Sequence, residues 1–215
     1  MTDSRYVPAA GRGGLTRFYD AGVRLTMRER LWRPMVVEQV VSNGPAVVLD
    51  LGCGTGSLAI PIAQRVQAAR VIGLDGDAEV LDIAQSKPGG ERVEWIEGFA
   101  DEVPLDDGTV DSVVTSLLLH HLPLPTKLAA LSEARRVLRP GGQLVLADWA
   151  KPQDPVMSAA FLGLQLLDGF GTTGDNRDGM IPRLIVDAGF GEPSRLRRIR
   201  TVLGTFEVLL AAPAP

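Results

Sequence analysis

The stretch Val47-Val48-Leu49-Asp50-Leu51-Gly52-Cys53-Gly54-Thr55-Gly56 restricts this chain more than any other. Four apolar residues bracket Asp50, then three glycines fall at alternate positions and the pattern turns helical. A buried strand therefore runs into a turn where backbone can approach a ligand without Cβ atoms in the way. Nineteen residues after Gly56 a second apolar run, Val71-Ile72-Gly73-Leu74, ends in Asp75. An acid at the tip of that neighbouring strand can accept both hydroxyls of a ribose. Together they point to a cofactor that contains a nucleoside.

At 215 residues the chain fits one large domain with a substantial core. Its 45% hydrophobic and 22% charged content is ordinary for a globular protein. The net charge of −4 argues against a nucleic-acid partner, whose phosphates favour a basic face. The one basic cluster, Arg195, Arg197, Arg198 and Arg200, alternates like the solvated face of a strand. A single cysteine, Cys53, excludes an intrachain disulfide and offers no cysteine metal cluster, so no metal is expected and a reducing compartment is the default. Met1 to Arg5 open without a secretory apolar region, and no run approaches a membrane span. The expectation is a cytoplasmic protein.

The first dozen residues are polar and glycine-rich, and are expected to be loose. A helical segment spans 15–42. Thr26 and Glu29 have the spacing of a capping box, and Pro34 predicts a kink or a split into two helices. After Asn43-Gly44-Pro45, strands read at 46–51, 70–75, 92–97, 111–117 and 142–149. Helices alternate with them at 57–68, 77–86 and 126–138, the last ending before the turn Arg139-Pro140-Gly141-Gly142. Such alternation predicts an α/β fold: a doubly wound, mostly parallel sheet with helices on both faces and ligands at the strands' carboxyl ends. An insertion over about 150–190 breaks the rhythm. It comprises an apolar helix at 155–169, a polar glycine-rich loop at 169–180 and a short helix at 181–188. Strands at 194–203 and 205–212, joined around Gly204, predict a closing antiparallel hairpin. No linker divides the chain, so 1–215 reads as one domain.

The glycines run G-x-G-x-G, not G-x-G-x-x-G as in most dinucleotide folds, and no Gly-Lys-Ser/Thr follows. Asp50 is the deeper clue. A pyrophosphate site would avoid an acid there, whereas an ammonium or sulfonium would favour one. At this point the sequence resembles the class I S-adenosylmethionine (SAM)-dependent methyltransferases, particularly the small-molecule group related to quinone-biosynthesis methyltransferases. The resemblance rests on Val48 to Gly56, Gly73-Leu74-Asp75, Val103-Pro104-Leu105 with Asp107-Gly108 and Asp111, Leu119-His120-His121-Leu122, and Leu138-Arg139-Pro140-Gly141-Gly142. It implies a Rossmann-like seven-stranded sheet whose last strand is antiparallel. It also implies that SAM is the cofactor and a small molecule the acceptor; a homodimer stays open.

Carried over by residue, the resemblance implies that Asp50 orients the methionine end and that the backbone of Gly52, Cys53 and Gly54 lies against the amino-acid and sulfur portion. Asp75 would hold the ribose, Gly76 and Asp77 would flank the adenine, and Thr115, Ser116 and Leu117 would offer backbone to the ammonium. Tyr19 belongs to the same expected cofactor site. One position departs from the pattern. Glu97-Gly98-Phe99-Ala100-Asp101 has Phe99 where the group carries an adenine-binding acid, which leaves adenine to the backbone of Ala100 and apolar walls.

Methyl transfer from a sulfonium is an in-line displacement in which placement and exclusion of water do much of the work. Where a hydroxyl is methylated, histidine is the usual base, and His120 and His121 are the candidates. A local structural role for the pair is the competing reading. Cys53 reads as a small buried filler, not a nucleophile. The acceptor is expected among Phe18, Phe161, Gln165 and Phe170, with 169–180 as a mobile flap or an idle loop. Leu162 and Leu166 belong to the same apolar insertion. The acceptor class expected is small and partly hydrophobic, methylated on O, C or N. The rival readings are a SAM-binding protein that no longer transfers methyl, and a nicotinamide-dependent oxidoreductase, which Asp50 and the glycine spacing disfavour.

Overall fold

Seven strands join into a single sheet in this computed structural model, which describes residues 28–214. Phe18, Tyr19 and Thr26 lie outside the described residues. In chain order the first half comprises α1 (Glu29–Val41), β1 (Val47–Leu51), α2 (Ala59–Arg65), β2 (Arg70–Asp75), α3 (Ala78–Ser86), β3 (Glu94–Glu97) and β4 (Val110–Ser116). The second half comprises α4 (Leu124–Val137), β5 (Leu138–Ala150), α5 (Pro155–Asp168), α6 (Phe170–Asp178), α7 (Ile181–Asp187), β6 (Ser194–Thr201) and β7 (Gly204–Ala211). The strands lie in the order β3-β2-β1-β4-β5-β7-β6, and β7 alone runs against its neighbours. This is the expected sheet. Its order reverses between β1 and β4, so a crevice opens beyond their carboxyl ends, where the glycine turn lies.

Two apolar layers cover the sheet. Val48, Val71, Val114 and Phe206 pack against Trp32, Val36 and Val40 of α1, Ile62 of α2 and Phe161 of α5. On the other face Leu49, Ile72, Val113 and Leu144 meet Leu131 and Ala134 of α4 and Leu184 and Ile185 of α7. Strand side chains alternate between faces, so Asp50 shares the face of Val48 and looks toward the α1 side.

Helix α1 departs from the expected start and split. It begins at Glu29, with Arg28 as its cap, and is one element through Pro34. Pro34 forfeits one backbone bond, to the Arg30 carbonyl, and the helix continues through it. Trp32, Val36 and Val40, one turn apart and each fully buried, hold the rest of the helix to the sheet. The expected turn Arg139–Gly142 lies inside β5 as a bulge: Val110 pairs with Leu138, but Ser112 already pairs with Gln143.

The largest correction concerns 169–180. Its glycines predict a mobile loop, yet Phe170–Asp178 is helix α6. Tertiary anchors outweigh the propensity. Lys127 of α4 is fully buried and donates from Nζ to the Thr172 carbonyl and to Asp175 (2.9 Å). Asn176 Nδ2 donates to the Trp149 carbonyl at 2.9 Å, and Thr173 and Asn176 are fully buried. The arginines of β6 are exposed, as expected, and three of the four are paired. Arg195 and Arg198 bind Glu207, and Arg200 binds Asp154.

Candidate active site

The glycine turn is built from its own backbone. Gly52 and Cys53 both donate N–H to the Leu74 carbonyl (2.8 and 3.0 Å), and Gly54 donates to Asp75 Oδ2 at 2.8 Å. Gly52, Gly54 and Gly56 all have positive φ, at 71°, 51° and 75°. Their remaining roles differ. A Cβ on Gly52 would stand 2.7 Å from Leu118, and one on Gly56 would stand 2.6 Å from Trp95. A Cβ on Gly54 would meet nothing within 4 Å, so this residue faces open space. Phosphate-binding turns aim free N–H groups at the anion. Here those of Gly52, Cys53 and Gly54 are consumed within the protein. The turn is therefore unsuited to phosphate and compatible with a cation.

Asp50 strengthens that polarity. It is 1% exposed; Oδ2 accepts the Ala59 N–H at the start of α2 (2.9 Å), while Oδ1 is buried with no partner among the described residues. Burial pushes its pKa up to about 7, against the Ala59 hydrogen bond and the charge of Arg33, which pull it down. Arg33 was not among the expected site residues. Its guanidinium pairs with Glu29 at 2.7 Å and lies over the Trp32 ring, yet its Nε is buried and unpartnered. No sequence spacing links residue 33 to residue 50. Only the packing of α1 on the β1 face brings an orphaned donor into the field of an orphaned acceptor.

Asp75 ends β2 as expected, and it also organises the turns. Besides Gly54, it accepts the Asp77 N–H on Oδ1 at 3.0 Å, leaving lone pairs for ribose hydroxyls. Burial raises its pKa, and the Gly54 and Asp77 hydrogen bonds oppose the rise. Asp77 caps α3 by accepting the Glu79 N–H. The Phe99 ring lies over Gly76, 3.2 Å from where a Cβ would stand, and Ala100 follows it half-buried. Phe99 thus forms an apolar wall beside the turn after β2. Cys53 is buried, which drives its thiol pKa upward and agrees with the filler reading.

At the end of β4, Ser116 is half-buried and Leu117 turns the chain with φ 56°, its N–H committed to the Ala147 carbonyl. The next residues form a short 3₁₀ turn, Leu119–His121. His120 is 2% exposed; its Nδ1 lies 2.7 Å from Asp148 Oδ1, and its Nε2 lies 3.7 Å from Asp168 Oδ2. Asp148, at the end of β5, also accepts the N–H groups of Leu119 and Trp149. Burial alone would raise its pKa, but His120 and the Trp149 N–H outweigh burial and hold it low. Asp148 was not anticipated either, because a lone acid near a strand end gives no sign of its partner. The His121 ring packs against His120 at a tilt of 42° with centroids 3.9 Å apart, and burial pushes its pKa down to about 3.

The expected acceptor residues separate. Phe161 is fully buried and packs edge-on against Trp149 at 6.3 Å, so it belongs to the core rather than to a cleft lining. Phe170 is 57% exposed. Gln165 is buried, with Oε1 unpartnered among the described residues. Leu162, Leu166 and Leu167 are exposed along α5. A cavity of about 140 Å³ bounded by Asp148, Asn176, Ile181, Arg195 and Glu207 lies beside β5 and β7, and no glycine-turn residue lines it.

The described residues thus combine a seven-stranded sheet with one reversed strand and a glycine turn between Asp50 and Asp75. The family model of a methyltransferase domain matches residues 48–142. Among curated relatives, a demethylmenaquinone methyltransferase of Lactiplantibacillus plantarum is 39% identical over 133 residues, covering 60% of this chain and 55% of that one. A chloroplastic 2-phytyl-1,4-beta-naphthoquinone methyltransferase of Arabidopsis thaliana is 32% identical over 136 residues, covering 60% and 51%. The chain thus spans about half the length of these curated relatives. In fold it is similar to a magnesium protoporphyrin IX methyltransferase from Synechocystis solved with SAH bound, with TM-score 0.66, 23% identity, and 96% and 90% coverage. Among the described residues no helix is long and apolar enough to cross a membrane. The residues fit the cofactor of such domains: the Asp50 oxygen suits an ammonium, the space beside Gly54 admits backbone-close contact, and Asp75 suits a ribose.

Proposed function

We propose that this chain binds S-adenosylmethionine at the crevice between β1 and β4 and moves its methyl group to a small, partly hydrophobic acceptor. The observation that carries the reading is the pairing of buried orphans: Asp50 Oδ1 as acceptor and Arg33 Nε as donor, on one side of a turn whose N–H groups are spent. An amino acid offers an ammonium to the first and a carboxylate to the second. Asp75 holds the ribose, with Asp77, Phe99 and Ala100 walling the adenine. Ser116 and Leu117 close the methionine side, and the backbone of Gly52, Cys53 and Gly54 forms its floor.

When bound, SAM supplies a methyl group on a sulfonium, activated for displacement. The protein's part is placement and dryness. Proton removal is not assigned to His121, which at a pKa of about 3 is too weak a base near neutral pH. His120, oriented by Asp148, is the better placed of the pair. Gln165 and the apolar residues of α5 and α6 are the acceptor-side candidates. The quinone-related names of the curated relatives favour a quinol or phenol.

The test is incubation with methyl-labelled SAM and a panel of quinols, phenols, amines and acids, read by mass spectrometry. A labelled quinol or phenol is expected. Tight SAM binding with no labelled product from any acceptor would favour the reading in which the protein no longer transfers methyl.

A further inference from the structure

We propose that His120, His121 and Asp168 form a site for one divalent transition-metal ion of the zinc type, where the end of β4 meets the end of α5. One donor atom from each of the three lies within 4.8 Å of the others. Two imidazoles and one carboxylate form a common ligand set for such ions, with a fourth position left for water or substrate.

The surroundings are those of a built ligand shell. Asp148 occupies His120 Nδ1 at 2.7 Å, which fixes the ring and leaves Nε2 as the donor facing Asp168. A carboxylate behind a metal-binding histidine is the usual supporting arrangement. Asp148 is itself held by the Leu119 and Trp149 N–H groups, so the whole unit is rigid. The 3.7 Å gap between His120 Nε2 and Asp168 Oδ2 is too long for a hydrogen bond. It is close to the roughly 3.3 Å that separates two donors on a tetrahedral ion with bonds of about 2.0–2.1 Å. His121 makes no side-chain hydrogen bond among the described residues, and rotation of its ring can close the remaining distance.

The ion would clamp α5 to the strand ends. If the methyl-transfer reading holds, its open position would receive an acceptor oxygen and lower the pKa of the attached proton, in place of base action by His120, whose Nε2 would then be a ligand. Ion binding itself does not depend on that reading.

The full chain, stripped of metal by chelator and dialysis, is titrated with Co²⁺ and followed by visible d–d absorption, with Zn²⁺ as competitor. One equivalent of Co²⁺ is expected, displaced by Zn²⁺, with affinity at least tenfold weaker in Asp168→Asn and in His121→Ala. Circular dichroism and SAM calorimetry on the same proteins establish folding and an intact cofactor site, so a failure of this proposal is separable from a failure of the SAM reading. Absence of Co²⁺ bands in the parent at millimolar metal would overturn the site. So would equal binding by the parent and both variants.

Discussion

Asp50 couples the site to pH. Its carboxyl, lifted by burial to about 7, is half-protonated near neutrality, and an ammonium placed against Oδ1 favours the ionised form. SAM affinity should therefore fall about tenfold from pH 8 to pH 6, as the free protein takes up the proton. Calorimetry in buffers of different ionisation enthalpy reads this directly, and Asp50→Asn should bind weakly with a flat profile. A variant that keeps the parent's pH slope would assign the titration elsewhere. Without ligand the sign is opposite. A raised carboxyl contributes stability that is full below the unfolded value near 4 and lost as pH rises through about 7. At the adenine end, Phe99→Asp should tighten SAM roughly five- to tenfold by restoring one hydrogen bond. Unchanged or weaker calorimetric affinity would show that the ring's packing on Gly76 matters more. Asp50 and Asp75 were legible in the sequence because each sits at a strand tip beside glycine. Arg33 and Asp148 were not, because their partners come from the sheet order and not from neighbours in the chain.

At the scale of elements, α6 shows how a helix can exist against its own composition. Glycines at 171 and 174 cost roughly 1 kcal/mol each relative to alanine in a helix. Lys127 ties the segment to α4 and Asn176 ties it to β5 instead. Lys127→Met should leave the sheet intact, because Asp175 is partly exposed and can be solvated once its partner is gone. Backbone amides over 170–178 should then exchange with solvent at least tenfold faster, while those of β4 and β5 keep their protection. Unchanged exchange in α6 would mean that the buried lysine is not its anchor. A charged residue on an apolar helix face is normally read as solvent-facing. That is why neither this contact nor α6 could be found from periodicity. The bulge at Arg139–Gly142 is a milder case: the turn residues were recognisable, but their place inside a continuing strand depends on the β4 register.

For the whole molecule, the hairpin β6–β7 is structural rather than peripheral. β7 pairs with β5 through seven residues, and its Phe206 and Val208 are fully buried in the α1-side core. A chain ending at Pro193 should therefore show no cooperative thermal transition by circular dichroism. Retention of a sharp transition would make the first five strands an independent unit. The hairpin's position illustrates the division between sequence and structure. The alternation of apolar runs and helical periods determined the fold class, because strand and helix bury side chains at different intervals. The motif around Asp50 and Asp75 determined where a cofactor would lie, because a glycine turn at a strand tip is a local geometry. Tertiary structure alone decided that Asp50 has an unpartnered oxygen beside Arg33, that His120 stands between Asp148 and Asp168, and that a glycine-rich segment becomes a helix. Each depends on the burial of groups distant in the chain, and burial sets both the cost of an unpaired charge and the strength of its hydrogen bonds.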